Sequence, residues 1–501
     1  MDNLSIFLCF VIGLTSYALI FFKKRYAYWK DRGAPYLEPT IPFGNLPMRR
    51  VHFRDIMEPI YEQKKPGAPF MGAYFFGTPV VVATDLNFIQ NVLVKDFSNF
   101  HERGMYVNEE DDPLSGHMFS LDGEKWKSLR AKLSPTFTSG RMKFMFPTVV
   151  DVAGKFNSEL SEILKTESEL EVRDLLARFT TDVIGTCAFG VECNSLKNPN
   201  SEFRNYGVKI LEEPLQGSLM QLFLMQYPKL GKKLHIRVVQ KEVEDFFMGL
   251  VRGTIDYREK NNVRRNDFMD LLIQLKNGEN LDGQSQKLGK VTFGEIVAQA
   301  FLFFIGGFET SSTTMLFALY ELALNPDIQE KARQEIETVL TRYEGKLTYE
   351  AVKEIVYVDQ IISETLRKYP PVVNLIRQAV RDYRVPGTKI IIEKGTQIFI
   401  PNFNIQRDPE IFPNPDVFDP DRFTPEQIKS RHPMSFLGFG EGPRNCVGLR
   451  FGRMQTRIGL ITLLKNYRFR PCPKTPIPMV FDIIRPTLSP KFGMYLKIEK
   501  L

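Results

Sequence analysis

The stretch from Thr292 to Asn325 constrains this 501-residue chain more than any other. It is apolar on nearly every side, meets no proline before Pro326, and opens on Thr292 and Glu295 at capping-box spacing. These signals predict a single helix, which at 1.5 Å per residue would be about 50 Å long and cross a whole domain. A helix without a polar face has to be buried through the centre of the protein. A membrane span is the rival reading, and Glu295, Glu309 and the hydroxyl cluster from Thr310 to Thr314 argue against it. Much of the remaining chain reads as helix. Strand-like alternation is confined to Met71–Val82 and Thr388–Ile400, the latter with Glu393-Lys394-Gly395 as a turn. The expected fold class is mainly α with small β-sheets.

A second apolar run, Leu4 to Phe22, carries no charge and is about long enough to cross a ~30 Å hydrocarbon core. Lys23, Lys24 and Arg25 follow at once, and only Met1-Asp2-Asn3 stands ahead. A cleavable signal would carry its positive charge in front, so an anchor is expected, with everything after it in the cytosol. Tyr26, Tyr28 and Trp29 suit the water–lipid interface. Gly33, Pro35, Pro39 and Pro42 predict a stiff, extended connector. The expected organisation is an anchor over 1–25, a proline-rich connector over 26–45 and one large domain over 46–501.

The net charge of +7 is spread along the chain. Without a basic stripe or a reading module, nucleic acid is not an expected partner. The five cysteines, Cys9, Cys187, Cys193, Cys446 and Cys472, match neither a disulfide framework nor a zinc pattern, which suits a reducing compartment.

The densest chemical signal is Phe439-Gly440-Glu441-Gly442-Pro443-Arg444-Asn445-Cys446-Val447-Gly448. A glycine- and proline-rich turn leads into the amphipathic pattern of residues 449–464, which puts Cys446 near a helix N-terminus, where N–H groups and the dipole favour a thiolate. Gly442 and Gly448 would let the backbone approach something flat and bulky. Arg444 offers a fork of donors to a carboxylate near the sulfur. In the long helix, Gly306-Gly307 leaves a notch where the helix can loosen. Thr310 can bond back to a carbonyl or turn toward the notch, and Glu309 is a proton source in an apolar setting. Glu364 and Arg367 share a helix face, as do Trp126 and Arg130.

Together these motifs resemble the cytochrome P450 family. The cysteine loop matches its Phe-x-x-Gly-x-Arg-x-Cys-x-Gly, and Gly306 to Thr310 matches its oxygen-activating motif with Gly306 in place of Ala. Residues 364–367 match its Glu-x-x-Arg helix, and Pro420 to Phe423 match its Pro-Glu-Arg-Phe segment with Asp421 in place of Glu. The stretch Leu133 to Gly140 looks like the clan of broad-specificity drug- and toxin-oxidising enzymes. Tyr36-Leu37-Glu38-Pro39 and Arg444 to Gly448 are most similar to its insect branch. The resemblance implies a triangular, mainly helical haem domain behind a transmembrane helix, with haem b (iron protoporphyrin IX) as cofactor. It implies Cys446 as the metal ligand, Phe439 packed beside the sulfur, and Arg444, Trp126, Arg130 and Arg377 as propionate donors. Thr310 and Glu309 would deliver protons, and Glu364, Arg367 and Arg422 would form a buried triad holding the haem loop. Phe119, Leu302, Ile305, Gly306, Val372, Val373 and Leu488 would line the substrate pocket.

The implied function is a monooxygenase that uses dioxygen to oxidise lipophilic small molecules, either xenobiotics such as plant toxins and insecticides or endogenous lipids and hormones. The chain has no flavin or nicotinamide motif, so electrons must come from a partner. The family's donor is NADPH–cytochrome P450 reductase, with cytochrome b5 as a further partner, on the cytosolic face of the endoplasmic reticulum. Lys127, Lys132, Arg450 and Arg453 are expected on the rim facing the acidic reductase. Two other readings are a haem-thiolate isomerase or dehydratase, and a haem sensor or electron carrier. The Glu309-Thr310 pair argues against the first, and a pocket-lining helix against the second.

Overall fold

In the computed structural model, which describes residues 2–49, 51–265, 267–278 and 290–501, the central rod is one helix, Phe293–Leu324. Its cap is reciprocal: the Thr292 hydroxyl accepts from the Glu295 N–H, and the Glu295 carboxylate accepts from the Thr292 N–H at 2.7 Å. It stops at Leu324 because Pro326, which has no N–H to donate, begins the next helix, Pro326–Arg342. The expected loosening at Gly306-Gly307 is absent, and the helix runs through both. Thr310 and Thr314 turn their hydroxyls back onto the carbonyls of Gly306 and Thr310 at 2.6 and 2.7 Å, so both hydroxyls find a partner within the helix.

Among the helices of the described residues that pack on this rod, Val172–Ile184, Leu449–Asn466 and Val356–Lys368 lie against it most extensively. Small residues set the approach. A Cβ on Gly307 would lie 2.3 Å from Ile184 Cδ1, and one on Gly459 would lie 2.6 Å from Met315 Sδ. Neither helix pair could close this far around a side chain.

The largest sheet has four strands, in the order Phe70–Phe75, Thr78–Ala83, Gln397–Ile400, Leu375–Gln378. Its first two strands form a hairpin in register Phe70↔Ala83. The two-residue turn has φ of 47° at Phe76 and 78° at Gly77, the left-handed pair that matches strand twist. Thr78–Ala83 runs parallel to Gln397–Ile400, and the latter runs antiparallel to Leu375–Gln378. Glu393-Lys394-Gly395 is the expected turn, with the Thr396 N–H donating to the Glu393 carbonyl at 3.1 Å, but the strands it joins do not pair with each other. Ile391–Ile392 pairs instead with Tyr383–Arg384 in a separate two-stranded sheet. A third sheet joins Glu169–Glu171, Tyr495–Lys500 and Tyr467–Pro471.

The N-terminal apolar helix, Asn3–Tyr26, long and apolar enough to cross a membrane, has no fully buried side chain. The connector behind it is not free. Trp29 is fully buried, donates its indole N–H to the Ala73 carbonyl at 3.1 Å, and lies where a Cβ on Gly72 would meet its ring at 2.6 Å. Trp29 is therefore a core residue of the domain rather than an interfacial one. The Tyr74 hydroxyl donates to the Tyr26 carbonyl at 2.8 Å, and Tyr26 in turn donates to the Pro42 carbonyl at 3.0 Å. These bonds stitch the segment expected as a linker onto the sheet.

Candidate functional site

The cysteine loop owes its path to two glycines and a close backbone. Gly440 and Gly442 hold φ of 68° and 74°, and a Cβ on Gly442 would sit 1.9 Å from the Leu93 carbonyl oxygen. Glycine at 442 thus answers to the left-handed turn and to Leu93. Gly448 has an ordinary φ of −84° and would place a Cβ 3.9 Å from the Phe137 ring, so close approach does not explain it. Backbone bonds from Asn445 to Gly442 (3.0 Å) and from Cys446 to Phe439 (2.9 Å) close the loop beside the helix Leu449–Asn466.

Cys446 is deep in the fold, yet its side chain keeps accessible surface. Surface that stays accessible so deep in the fold marks an internal space beside Cys446. Gly306 on the central helix, Phe119 and Val372 are exposed as well, the last two at 39% and 41%, and Ile305 is half-buried. In the polypeptide itself, burial pushes the Cys446 thiol up, while the Gly448 N–H, Arg130 and Arg103 pull the other way. The helix end alone therefore does not make the thiolate expected from its position, whereas coordination to a metal deprotonates a thiol outright.

Guanidinium groups crowd one side of that space. Arg444 lies 4.1 Å over the ring of Trp126 and donates through Nη2 to Asp122 Oδ1 and the Leu121 carbonyl, both at 2.9 Å. Its Nε and Nη1 are buried without partners, as is the Nε of Arg377. Burial pushes Arg377 down to about 9, with Arg444 adding to the effect. Arg130, expected beside a carboxylate of the cofactor, instead gives Nη1 and Nη2 to the Asn445 carbonyl and side-chain oxygens, each at 2.9 Å. Arg103 is a fourth member that sequence reasoning missed. It spans Phe119, with its guanidinium 4.0 Å over the ring, and the Arg444 carbonyl at 3.3 Å. No periodicity or spacing in His101-Glu102-Arg103-Gly104 marks it.

On the central helix, the acid and the alcohol point apart. Thr310 bonds back to Gly306, whereas Glu309 is 4% exposed and accepts from the Thr487 hydroxyl at 3.0 Å. Burial pushes the Glu309 carboxyl up, opposed by Arg173, Thr487 and Arg204. A Cβ on Gly306 would meet nothing within 4 Å, so this glycine leaves the internal space open beside Thr310. Leu302 and Ile305 are half-buried on the same helix. Val373 and Leu488, expected in the pocket, are closed off from accessible surface in this structure. They are 3% and 0% exposed and pack with Phe317, Tyr369 and Phe403 in a separate apolar cluster.

Glu364 and Arg367 of one helix do converge with Arg422 from the Pro420–Phe423 turn. Arg367 Nε and Nη2 grip the two oxygens of Glu364 at 2.6 and 2.8 Å, both side chains fully buried, and Arg422 Nε stands 3.6 Å from Glu364 Oε1. Arg367 also donates to the carbonyls of Gln406 and Pro415. Gln406, which the sequence did not single out, accepts from the Leu437 N–H at 2.7 Å and so passes the hold to the start of the cysteine loop.

Of the basic rim, Lys127 is 72% exposed and Arg450 is exposed. Lys132 is buried at 8%, and Arg453 is engaged inward, paired with Asp359 at 2.7 Å and stacked 5.3 Å over Phe439. The face of each helix that packs on its neighbours takes these two out of the rim.

Comparison with known proteins agrees with this geometry. The family model described as Cytochrome P450 matches residues 35–494. The chain is 47% identical to Cytochrome P450 6A1 of Musca domestica, over 99% of this chain and 98% of that protein. It is 45% identical to Cytochrome P450 6a2 of Drosophila melanogaster, over 98% and 99%. The chain belongs to the cytochrome P450 family, in its insect CYP6 branch. It is a monooxygenase of that family, whose cofactor is haem bound through a thiolate. The residues present fit such a group. The orphaned N–H groups of Arg444 and Arg377 are donors of the kind that buried carboxylates satisfy, and the Cys446 sulfur, two residues from Arg444, keeps accessible surface.

Proposed function

We propose that this protein oxidises lipophilic small molecules, either xenobiotics or endogenous lipids and hormones, while anchored to the cytosolic face of the endoplasmic reticulum. Electrons come from NADPH–cytochrome P450 reductase, with cytochrome b5 as a second donor. The observation that carries this reading is the Cys446 thiol, which keeps accessible surface deep in the fold, in one loop with Arg444, whose Nε and Nη1 are buried without partners.

Bound haem supplies oxygen activation and the transfer of one oxygen atom to substrate, helped by electron density from a thiolate. The chain supplies everything else. Cys446 would hold the haem iron through its sulfur, with Phe439 beside it, Gly442 shaping the loop and the Gly448 N–H directed at the sulfur. Arg444 and Arg377, helped by the Trp126 ring and Arg103, hold the cofactor carboxylates. Arg130 acts through Asn445. Phe119, Leu302, Ile305 and Val372 orient an apolar substrate and exclude water. Thr310 carries a proton at Oγ1, and Glu309 replenishes it.

Turnover of a mixed panel of plant toxins, insecticides, fatty acids and steroids by the anchored protein with reductase tests the proposal. In ¹⁸O-labelled dioxygen, product should carry one labelled atom and form only when NADPH is present. A product that forms without NADPH, or without label, contradicts it.

A further inference from the structure

The segment from Gly116 to Phe119 lies in neither helix nor strand, yet Gly116 and Met118 are buried. Buried backbone N–H and C=O groups need partners, and here a side chain supplies them. Gln299, 1% exposed on the central helix, accepts from the Met118 N–H through Oε1 at 2.9 Å and donates through Nε2 to the Gly116 carbonyl at 3.4 Å. Nε2 also donates to the Glu295 carbonyl at 3.3 Å, one turn back on its own helix. A carboxamide has an acceptor and two donors at fixed angles, so it offers this segment what a neighbouring strand would. The reversed amide would set Nε2 against the Met118 N–H and Oε1 against two carbonyls, and the three partners together therefore fix its orientation.

The far end of the segment is held as well. Arg103 donates through Nη1 to the Phe119 carbonyl, lays its guanidinium 4.0 Å over the Phe119 ring, and donates through Nη2 to the Arg444 carbonyl at 3.3 Å. The segment is thus strung from the central helix to the cysteine loop. Gln299, Leu302 and Gly306 stand at i, i+3 and i+7 and share one helix face. Gln299 precedes Gly306 by two turns, about 10 Å along the axis. The place of Phe119 is therefore set from the same helix that carries Gly306 and Thr310.

We propose that Gln299 is a positioning residue for substrate selection: its carboxamide fixes where Phe119 stands along the central helix, and with it the shape of ligand admitted. This rests on the reading of Phe119 as a wall of the pocket. Loss of the carboxamide strands the Met118 N–H and the Gly116 carbonyl, and a buried group without a partner is costly enough to move the backbone that carries it. Phe119 follows Met118 directly and moves with it. Arg103 still holds its other side, so the ring shifts without leaving the pocket.

The test titrates the full-length, haem-loaded protein with imidazole and with N-phenylimidazole, whose free ring nitrogen binds the iron and shifts the Soret band. The ratio of the two dissociation constants reads the fit of a ring above the haem. Phe119→Ala should weaken N-phenylimidazole relative to imidazole by about fivefold, the usual worth of one ring–ring contact. Gln299→Met, nearly the same in volume but without the carboxamide, should shift the ratio in the same direction and by a similar factor, while the reduced protein keeps its carbon monoxide band. In the double variant the two effects should not add, because both act through one ring. A ratio unchanged in Gln299→Met, or changed by the same factor with and without Phe119, overturns the proposal and leaves Phe119 in its place. A ratio unchanged in Phe119→Ala removes the pocket wall itself, and the proposal with it. Should Gln299→Met fail to fold, Gln299→Asn, which keeps the amide but shortens its reach by one carbon, decides in its place.

Discussion

Arg130 grips Asn445 through two parallel bonds of 2.9 Å, one to its carbonyl and one to its side chain, and so clamps the residue that precedes Cys446. Hydrogen bonds from a charged donor are worth about 1.5–3 kcal/mol each. Arg130→Ala should therefore loosen the loop and speed loss of haem from the folded protein, while Asn445→Ala, which keeps the carbonyl, should have a smaller effect. Haem retained per polypeptide during dilution measures both. Native retention in Arg130→Ala would show that the clamp is incidental.

Adjacent glycines on the central helix should respond in opposite directions. A Cβ on Gly307 would press on Ile184 at 2.3 Å, whereas one on Gly306 meets nothing within 4 Å. Gly307→Ala should destabilise by about 1–3 kcal/mol through overpacking. Gly306→Ala should be neutral or stabilising by up to about 1 kcal/mol, because alanine is the better helix former, and should change product distribution instead. Thermal midpoints of the two variants check the order, and equal shifts would contradict the packing argument.

Glu364 and Arg367 are both fully buried. Removing one partner strands the other charge, at a cost of about 3–5 kcal/mol. Glu364→Ala should therefore yield little folded, haem-loaded protein even at low temperature. Replacing Arg422, which reaches Glu364 only at 3.6 Å and is partly exposed, should be milder. Yields of haem-loaded protein from parallel expression give the comparison, and a milder Glu364→Ala would overturn it.

Reductase docking is best tested at Lys127 and Arg450, the two rim charges that remain outward. Rim charges act mainly on association rate and its salt dependence. Lys127→Glu with Arg450→Glu should slow reductase-driven turnover, flatten its response to ionic strength, and leave hydroperoxide-driven turnover unchanged. Equal loss by both routes would place the damage at the haem site and remove this surface from the account.

Motifs contiguous in the chain were legible because their chemistry is local. The central helix, its cap, the loop around Cys446 and the Glu364–Arg367 pair could all be read from spacing. What could not be read depends on partners far away in sequence. The Leu93 carbonyl explains Gly442, Thr487 holds Glu309, and Gln406 links the Glu364 helix to the cysteine loop. Lys132 and Arg453 misled for a related reason. A basic residue in a helix is exposed only if its face is, and packing against neighbouring helices decides that. Trp29 looked interfacial because aromatic residues behind an anchor usually are, but the cleft above Gly72 takes its ring into the core.

The most direct test of the central claim is the absorption of the reduced, carbon monoxide-bound protein, native and Cys446→Ser. The native protein should show the long-wavelength Soret band typical of thiolate-bound haem. The variant, in which an alcohol replaces the sulfur, should lose that band while keeping its helical content. A native protein without the band, or a folded serine variant that retains it, would contradict the assignment of Cys446 as the ligand.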